Sequence, residues 1–277
     1  MQLTARRHTL TFPRPALVMG IVNLCADSFS GDGLTDPALA VAHAERFVAA
    51  GAEIIDIGAE SARTNRAAMS TAEEADRLCA FTARWQQSAA GATMLSINTW
   101  RSEVVRQVLP VGGDLLNDLS ALPTPENARL CAEHGAALLI MHSVGEPKIA
   151  HTHVRHGDIM ETLDAFFAEK LALAESAGLP RTAIVIDPGI DFAKQRADNL
   201  RIYRELARLH RFERPILLPV SRKTVIGDTL GIAKPDERDA GTVACLVQGL
   251  LQGAQIFRVH NVRAAWQAVR TVEGAEM

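Results

Sequence analysis

The fold is decided by residues 16–57, which read ALVMGIVNLCADSFSGDGLTDPALAVAHAERFVAAGAEIIDI. The apolar, β-branched run at 16–22 predicts a buried strand, and the similar run at 53–57 predicts a second one. Between them, the Asp-Pro pair at 36–37 is typical of a helix start, and Gly51 is typical of a helix end. The order strand, helix, strand predicts a parallel β/α/β unit.

The same alternation continues through the rest of the chain. Short apolar runs predict strands at 16–22, 53–57, 93–97, 114–117, 136–141, 183–187, 215–220 and 254–259. Helix signals separate these runs. Thr71 and Glu74 have capping-box spacing, the Thr-Pro pair at 124–125 predicts another helix start, and Gly178 follows the long helical segment 158–177.

Eight such units match a (β/α)8 TIM barrel, an α/β fold that typically needs about 250 residues. No linker rich in Pro, Gly or Ser divides the chain, so we expect a single domain over residues 1–277. The rival architecture is an open, doubly wound sheet, but no G-x-G-x-x-G motif follows the first predicted strand. The pattern therefore favours the barrel.

Composition excludes several classes of protein. Of the 277 residues, 48% are hydrophobic and 22% are charged, which excludes disordered and collagen-like chains. No apolar run approaches the ~20 residues of a membrane span, and the first residues lack the apolar core of a secretory signal. We therefore expect a cytoplasmic protein with no membrane partner. The four cysteines form no C-x-x-C pair, and a net charge of -3 gives no signature of a nucleic-acid partner.

Polar residues follow the C-terminal end of every predicted strand, where TIM barrels carry their chemistry. In strand order they are Asn23; Asp56 and Glu60; Asn98; Asn117 and Asp118; His142 after Met141; Asp187; Ser221, Arg222 and Lys223; and Arg258 and His260. One Asp or Asn after a strand often caps the next helix, but eight strands that all end in this way are harder to explain as caps.

The chemical types of these residues differ around the ring. Carboxylates and amides after the second, third, fourth and sixth strands match the donors and acceptors on the edge of an amino-substituted heterocycle. Basic groups after the seventh and eighth strands match phosphate oxygens, in the part of the barrel where phosphate commonly binds; they are Arg222, Lys223, Arg258 and His260. A ligand with a heterocyclic end and a phosphorylated end fits this division.

With these residues in place, the sequence resembles the dihydropteroate synthases and, more broadly, the pterin-binding barrel family. The resemblance is carried, in order, by GIVNLCADSFSGDG (20–33), GAEIIDIGAESAR (51–63), LSINT (95–99), LLND (115–118), LIMHSVGEPK (139–148), IVIDPGIDFAK (184–194), PVSRKTVIGD (219–228) and RVHNV (258–262). It implies a transferase of folate biosynthesis that joins 4-aminobenzoate, or a related arylamine, to 6-hydroxymethyl-7,8-dihydropterin diphosphate. Diphosphate is released with the help of Mg²⁺.

The resemblance also implies the site residues. Those implied to bind substrate are Asp56, Asn98, Asn117, Met141, Asp187, Phe192, Ser221, Lys223 and Arg258. Those implied in catalysis are Lys223, Arg258, His260, Arg63 and Asp32, and Asn23 is the implied Mg²⁺ ligand. Asp187 and Asn117 would bind the aminopyrimidine edge of the pterin, and Lys223 would approach its carbonyl and ring nitrogen.

The other implied roles concern the reacting ends of the two substrates. Arg258 would stack on the pterin and contact phosphate, and His260 would contact the diphosphate. Ser221 and Arg63 would lie toward the aminobenzoate. Met141 and Phe192 would pack near the ring, although packing in the barrel core is an equal alternative for both. No covalent nucleophile is implied.

The sequence departs from the family pattern in its loops. The family's N-x-T-P-D-S-F is NLCADSF at 23–29, and S-D-G-G is SGDG at 30–33, which moves the acid at Asp32 by one place. The family's S-T-R-P-G is SARTN at 61–65, and S-[IV]-D-T is SINT at 96–99, so that an amide replaces a carboxylate. An amide cannot balance the charge of a cationic pterin intermediate.

These departures leave three hypotheses open. The first is a dihydropteroate synthase, active or specialised. The second is a pterin-binding paralogue that is catalytically weak, and the third is a methyltransferase relative that acts on a methylated folate with a corrinoid partner. Basic groups suited to diphosphate and the lack of an added corrinoid-binding segment count against the third. Family members usually form homodimers, and the apolar segment 239–252 fits burial in such an interface or in the barrel.

Overall fold

The computed structural model describes residues 1–25, 34–60, 68–149 and 151–276. The chain begins with an antiparallel hairpin of two short strands, Gln2–Ala5 (β1) and His8–Thr11 (β2). Arg6 at its turn donates from its backbone N–H to the Gly135 carbonyl and from Nε to the Gly113 carbonyl. Both glycines precede barrel strands, so the hairpin lies at the N-terminal ends of those strands. The sequence did not predict it, because two four-residue strands give too short a periodic pattern.

Eight parallel strands form the central sheet. They are Leu17–Asn23 (β3), Ile54–Gly58 (β4), Met94–Asn98 (β5), Leu115–Asp118 (β6), Ala137–Met141 (β7), Ile184–Asp187 (β8), Leu217–Leu218 (β9) and Ile256–Val259 (β10). Their order is β8-β7-β6-β5-β4-β3-β10-β9, and a parallel bridge between Ile186 and Ile216 brings the two outer strands together. The predicted (β/α)8 TIM barrel is confirmed.

Each predicted strand is present, with bounds shifted by one or two residues in most cases. The main difference is the run predicted at 215–220, of which only β9 joins the ladder. Pro215 and Pro219 flank β9. Because proline has no N–H to donate to a ladder, these two residues limit the strand to its central residues.

Helices surround the barrel. They are Pro37–Ala49 (α1), Thr71–Gln86 (α2), Ser102–Val108 (α3), Glu126–His134 (α4), Ile159–Ser176 (α5), Arg196–Glu205 (α6), Thr224–Leu230 (α7), Asp239–Leu251 (α8) and Val262–Glu276 (α9). Short 3-10 helices span Arg181–Ala183, Leu206–Phe212 and Pro235–Arg238. Asp36 caps α1 as predicted, with its carboxylate accepting from the Ala38 N–H at 2.7 Å. Gly178, with a φ of +90°, follows the end of α5.

Two predicted helix starts were wrong by one residue each. The cap of α2 is Ser70, which accepts from the Glu73 N–H at 3.2 Å, so the capping pattern predicted at Thr71 and Glu74 does not form. The Glu74 carboxylate instead pairs with Arg101. The helix α4 begins after Pro125 with no side-chain cap, because that proline already has helical dihedral angles.

The core fills the barrel and the layer beneath the helices. Strand residues such as Ile55, Ile57 and Leu139 are fully buried, and Phe81 and Trp85 of α2 stack on each other at 6.0 Å beneath the same layer. Packing of this kind leaves the strand ends as the place for polar groups. Among the helices described, none combines the length and the apolar character needed to cross a membrane.

Candidate active site

A cavity of about 710 Å³ opens at the C-terminal ends of the barrel strands. The predicted site residues that line it are Asn23, Asn98, Asn117, Met141, Asp187, Phe192, Ser221, Lys223, Arg258 and His260. Strand register explains why many of them meet. Asn98 stands opposite Asn117, and Met141 stands opposite Asp187, so within each pair the two side chains point to the same side of the sheet. Asp32 and Arg63 lie outside the described residues.

Asp56 lies beneath this cavity and does not line it. Its buried carboxylate accepts hydrogen bonds from Ser96 Oγ at 2.6 Å, Asn117 Nδ2 at 3.1 Å and Arg258 Nε at 2.7 Å. Asn117 and Arg258 both reach the cavity wall. The geometry therefore lets Asp56 orient these two side chains, and the substrate contact implied by the family resemblance stays a prediction.

Asp187 stands at the end of β8, and the backbone that follows folds back onto it. The Gly189 N–H donates to Asp187 Oδ1 at 2.6 Å. Gly189 has a φ of +68°, and a Cβ there would lie 1.9 Å from the His142 carbonyl oxygen, so the turn needs glycine. Burial raises the pKa of Asp187 to about 6, although the Gly189 N–H and the charge of Lys223 favour the ionised form.

Lys223 enters the cavity from the residues that follow β9. Its ammonium donates to the Ile190 carbonyl at 3.0 Å and lies 5.0 Å from the centre of the Phe192 ring. Burial lowers the pKa of Lys223, while the neighbouring carboxylates of Asp191 and Asp187 oppose that shift. A cation, an aromatic face and a carboxylate thus share one wall of the cavity, a combination suited to a flat polar ring.

His260 and Arg258 form a second wall. His260 Nδ1 lies 2.8 Å from Ser221 Oγ, and this hydroxyl also accepts from the His260 backbone N–H at 3.1 Å. The two bonds fix the imidazole against the end of the neighbouring strand. Among the described residues, Arg258 is bound to Asp56 through Nε and its other guanidinium N–H groups have no partner, so they can donate to an anion.

Two polar residues at strand ends serve the scaffold. Arg222, which the sequence grouped with the phosphate-binding cations, does not line the cavity; its Nε binds Asp239 at 2.8 Å. Asp118 is buried and accepts from Ser120 Oγ at 2.5 Å and Asn127 Nδ2 at 2.9 Å. Burial raises the pKa of Asp118. This carboxylate stabilises the β6–α4 connection.

The sequence reasoning missed Lys194 and His142 as a pair. Lys194 Nζ lies 2.8 Å from His142 Nδ1 and donates to the Phe192 carbonyl at 3.0 Å. Burial and the charge of Lys194 lower the pKa of His142 to about 2, so the imidazole is neutral and its Nδ1 accepts. Burial lowers the pKa of Lys194 to about 7, with Asp187 opposing. A lysine two residues after Phe192 was the available signal.

It also missed an ion-pair network that reaches the cavity from Glu60. The buried Glu60 carboxylate binds Lys148 at 2.7 Å and Arg101 at 2.5 Å. Arg101 also binds Glu74 at 2.8 Å, and Glu60 accepts from the Met69 N–H at 3.2 Å. Glu60 and Met69 flank residues 61–67, so this network ties the two flanks of that segment together. No sequence signal linked positions 60, 101 and 148.

Asn23 supplies a hard oxygen donor near the mouth of the cavity. It ends β3, and its backbone carbonyl accepts from the Leu34 N–H at 2.8 Å. Within the described ranges, no group of three or more His, Cys, Asp or Glu side chains is arranged to hold a metal.

Known proteins can be compared with this geometry. The family model described as "Pterin binding enzyme" matches residues 19–260. The chain belongs to the pterin binding enzyme family. It is 36% identical to dihydropteroate synthase from Escherichia coli strain K12 over 278 residues, a match that covers 99% of this chain and 96% of that one.

Solved structures give the same result for this pterin binding enzyme. A Yersinia pestis dihydropteroate synthase in a sulfonamide drug complex has a TM-score of 0.92 at 36% identity, covering 100% of this chain and 99% of the other. A Xanthomonas albilineans dihydropteroate synthase with 4-aminobenzoic acid has a TM-score of 0.88 at 33% identity, covering 99% and 98%. The chain is a transferase related to these enzymes, and the comparisons favour the synthase over the methyltransferase alternative.

Proposed function

We propose that this chain condenses 6-hydroxymethyl-7,8-dihydropterin diphosphate with 4-aminobenzoate, or a related arylamine, and releases diphosphate. The observation that carries the proposal is the division of one cavity between two kinds of group. Buried amide and carboxylate groups lie along the strand ends, and Arg258 and His260 supply a wall of nitrogen groups beside them. A pterin diphosphate has the matching division between its ring and its phosphates.

Asn117 and Asp187 would hold the aminopyrimidine edge of the pterin. Asn117 Nδ2 already donates to Asp56, whereas its Oδ1 is buried and has no hydrogen-bond partner among the described residues. A buried acceptor without a partner is costly, and a ligand N–H would satisfy it. Asp187 supplies a second acceptor when it is ionised. Lys223 would donate to the pterin carbonyl, with Phe192 and Met141 packed against the ring and Asn98 beside Asn117.

Arg258 and His260 would neutralise the departing diphosphate. Asp56 holds Arg258 by its Nε, so the rest of the guanidinium is oriented before substrate arrives. Ser221 fixes His260 through the bond to Nδ1. The amine nitrogen of the acceptor forms a bond to the pterin methylene carbon, the C–O bond to diphosphate breaks, and the amine releases a proton. Orientation and charge neutralisation supply the catalysis, because no protein nucleophile is needed.

We propose Mg²⁺ as the cofactor, with Asn23 as its protein ligand. A single amide oxygen fits an ion that is held mainly by phosphate oxygens and water. When bound, Mg²⁺ supplies positive charge to the diphosphate leaving group. We retain Arg63 and Ser221 as proposed contributors on the side of the arylamine, and Asp32 as a proposed catalytic residue.

We also propose that residues 1–277 act as one domain and assemble as a homodimer. We propose a cytoplasmic location because both substrates are water-soluble metabolites. Helices α8 and α9 leave a shallow, mainly apolar groove on the outside of the barrel, lined by Val243, Val247, Ala264, Ala268 and Val272 among others. A two-fold interface would bring this same face of the two protomers together. Light scattering of the purified protein should give twice the chain mass of 29.9 kDa.

The reaction is tested by mixing purified protein with the pterin diphosphate, Mg²⁺ and 4-aminobenzoate. We expect dihydropteroate and diphosphate to form in equal amounts. Diphosphate release without dihydropteroate would place the defect on the acceptor side. Tight pterin binding by calorimetry with no product would establish the catalytically weak paralogue, and the absence of both binding and product would overturn the proposal.

A further inference from the structure

The segments that follow β8 and β9 are joined by hydrogen bonds, in which a side chain of each segment binds the backbone of the other. Lys223, after β9, donates through Nζ to the Ile190 carbonyl at 3.0 Å. In return the carboxylate of Asp191, after β8, accepts from the backbone N–H groups of Thr224 at 2.5 Å and Val225 at 3.2 Å. A side chain from each segment thus binds the backbone of the other. We call these three hydrogen bonds the reciprocal clamp.

The backbone of the β8 segment adopts dihedral angles that need such support. Asp191 has a φ of +71° and Ala193 a φ of +49°, in the left-handed region that residues with a Cβ rarely occupy. Asn199 of α6 adds support, because its Oδ1 accepts from the Asp191 N–H at 2.9 Å. A conformation of this kind persists only where its surroundings determine it, and it is found mainly at functional sites.

The clamp holds two side chains that line the cavity. Phe192 follows the clamp residue Asp191 in sequence, and its carbonyl accepts from Lys194 Nζ at 3.0 Å. The centre of its ring is 5.0 Å from the Lys223 ammonium. Lys223 is the last residue before α7, whose first two N–H groups are the ones that Asp191 binds. A movement of Asp191 would therefore move both the lysine and the aromatic ring.

We propose that Asp191 is a positioning residue that sets Lys223 and Phe192 in place for the condensation. It acts on Lys223 in two ways, through the backbone at the start of α7 and through its negative charge. The charged groups that face Lys223 are Asp187 and Asp191, which stabilise the ammonium, and Arg258 and Lys194, which oppose it. For its catalytic measurements this inference rests on the function proposed above.

Three variants separate the contributions of Asp191. Asp191→Ala removes the acceptor and the charge, Asp191→Asn keeps one acceptor oxygen without the charge, and Asp191→Gly removes both while suiting the positive φ. We expect kcat/KM for the pterin diphosphate, which Lys223 and Phe192 would hold, to fall about tenfold or more in the Ala and Gly variants, with the Asn variant in between. Asp236→Asn, an equal change of charge at an exposed position, should stay within about twofold of the parent.

The Gly variant makes the test decisive for the clamp. If backbone strain were the only feature of this position, glycine would relieve it and the variant would match or exceed the parent in kcat/KM. That result would overturn the proposal. Thermal unfolding of all variants separates loss of the fold from loss of positioning, because the proposal requires folded proteins with reduced kcat/KM.

The pH dependence tests the effect of charge. Removing the Asp191 charge lowers the pKa of Lys223, so the alkaline limb of kcat/KM in Asp191→Asn should move to lower pH by about half a unit or more. A residue that served only to support the backbone would leave this limb where it is in the parent. An unshifted limb would overturn the electrostatic part of the proposal.

Amide hydrogen exchange tests the clamp without turnover. The N–H groups of Thr224 and Val225 should exchange about tenfold faster in the Ala and Gly variants than in the parent, with no substrate present. Unchanged exchange would overturn the clamp even if the protein is an active synthase. Faster exchange in a protein that forms no dihydropteroate would support the clamp while rejecting the proposed function, so the two failures are distinguishable.

Discussion

The inner and outer ends of the cavity are held in place by different means. At the inner end, Asn98, Asn117 and Asp187 project from the last residues of β5, β6 and β8, so the register of the barrel fixes their positions. At the outer end, Lys148 and Lys223 come from connecting segments. Each binds a group far away in sequence, Glu60 in the first case and Ile190 in the second.

This difference indicates which part of the cavity can change by substitution. A side chain on a strand end moves only if the barrel moves, which makes the inner end a fixed recognition surface for the shared substrate. A side chain on a connecting segment depends on a few partners, so one substitution can reshape the outer end without disturbing the core. Lys223 would hold the shared pterin, so we expect acceptor specificity to be set by the other connecting segments of the outer end, such as the one that carries Lys148. Changes at the inner end should have the larger cost.

The largest effect should come from breaking the Asp56 hub of the inner end. Asp56→Ala leaves Arg258 without its buried partner and removes the acceptor for Ser96 and Asn117, so the free energy of unfolding should fall by about 3–5 kcal/mol. Urea unfolding measures this change. Ser96→Ala is the matched control, because it removes one of the three hydrogen bonds and should cost about 1 kcal/mol. Equal losses of unfolding free energy in the two variants would show that the bonds of Asp56 to Asn117 and Arg258 add no stability.

The second effect concerns Asp187 and has a defined pH range. Its pKa is raised to about 6, and only the ionised carboxylate accepts two pterin N–H groups, so affinity should fall as the pH falls through that value. Below it we expect about a tenfold loss for each pH unit. The probe is 6-hydroxymethylpterin, which carries no phosphate of its own to titrate, and calorimetry gives the affinity.

Asp187→Asn provides the control for this titration. The variant should bind the probe more weakly at neutral pH, by roughly 30-fold from the loss of a charged acceptor, and should show no change in affinity between pH 5 and 7. A parent protein whose affinity is flat over the same range would mean that Asp187 does not hold the pterin edge.

The inner end was largely predictable from the sequence, and the outer end was not. Asn117 and Asp187 could be predicted as site residues because each follows an apolar run that predicts a strand. A parallel barrel brings the C-terminal ends of all its strands to one face. Arg222 and Lys223 follow the same strand and are adjacent in sequence, yet one binds Asp239 and the other lines the cavity. Side-chain direction outside a strand depends on tertiary contacts that adjacent sequence does not encode.

The clamp at Asp191 and the pair of Lys194 with His142 were missed for the same reason. Their partners lie 33 and 52 positions away, on other connecting segments. The hairpin β1–β2 was missed for a different reason: it is short, and its burial comes from contacts with the base of the barrel. Ser70 and Thr71 are both good caps, and only the tertiary path of the chain selects the first.

The third effect should be a gain at the inner end. Asn98→Asp would place a carboxylate beside the pterin, where it can balance the cationic methylene that develops as diphosphate leaves. We expect turnover to rise by about severalfold and by more than pterin affinity rises. A larger gain in affinity than in turnover would contradict this account of the missing charge.

Asn117→Asp is the matched control for that gain. It adds the same charge at the residue paired with Asn98 across the β5–β6 ladder. There the new carboxylate would face Asp56, to which Asn117 Nδ2 now donates, and would lose that hydrogen bond. We expect both affinity and turnover to fall, so a gain in both variants would indicate a general effect of negative charge.

The smallest effect should come from Arg222 at the outer end. Arg222→Met removes a cation that is adjacent to the cavity in sequence but is bound to Asp239, so kcat/KM for the pterin diphosphate should stay within about twofold of the parent. Lys223→Met removes the neighbouring cation, which lines the cavity, and should lower the same quantity by about tenfold or more. Steady-state kinetics at two salt concentrations measures both.

If electrostatic attraction of the diphosphate depended on total basic charge near the mouth, the two variants would lose similar activity and the loss would fade with salt. Unequal losses that persist in salt would instead mean that the direct contact of Lys223 with the pterin, and not the number of cations near the mouth, makes the outer end work.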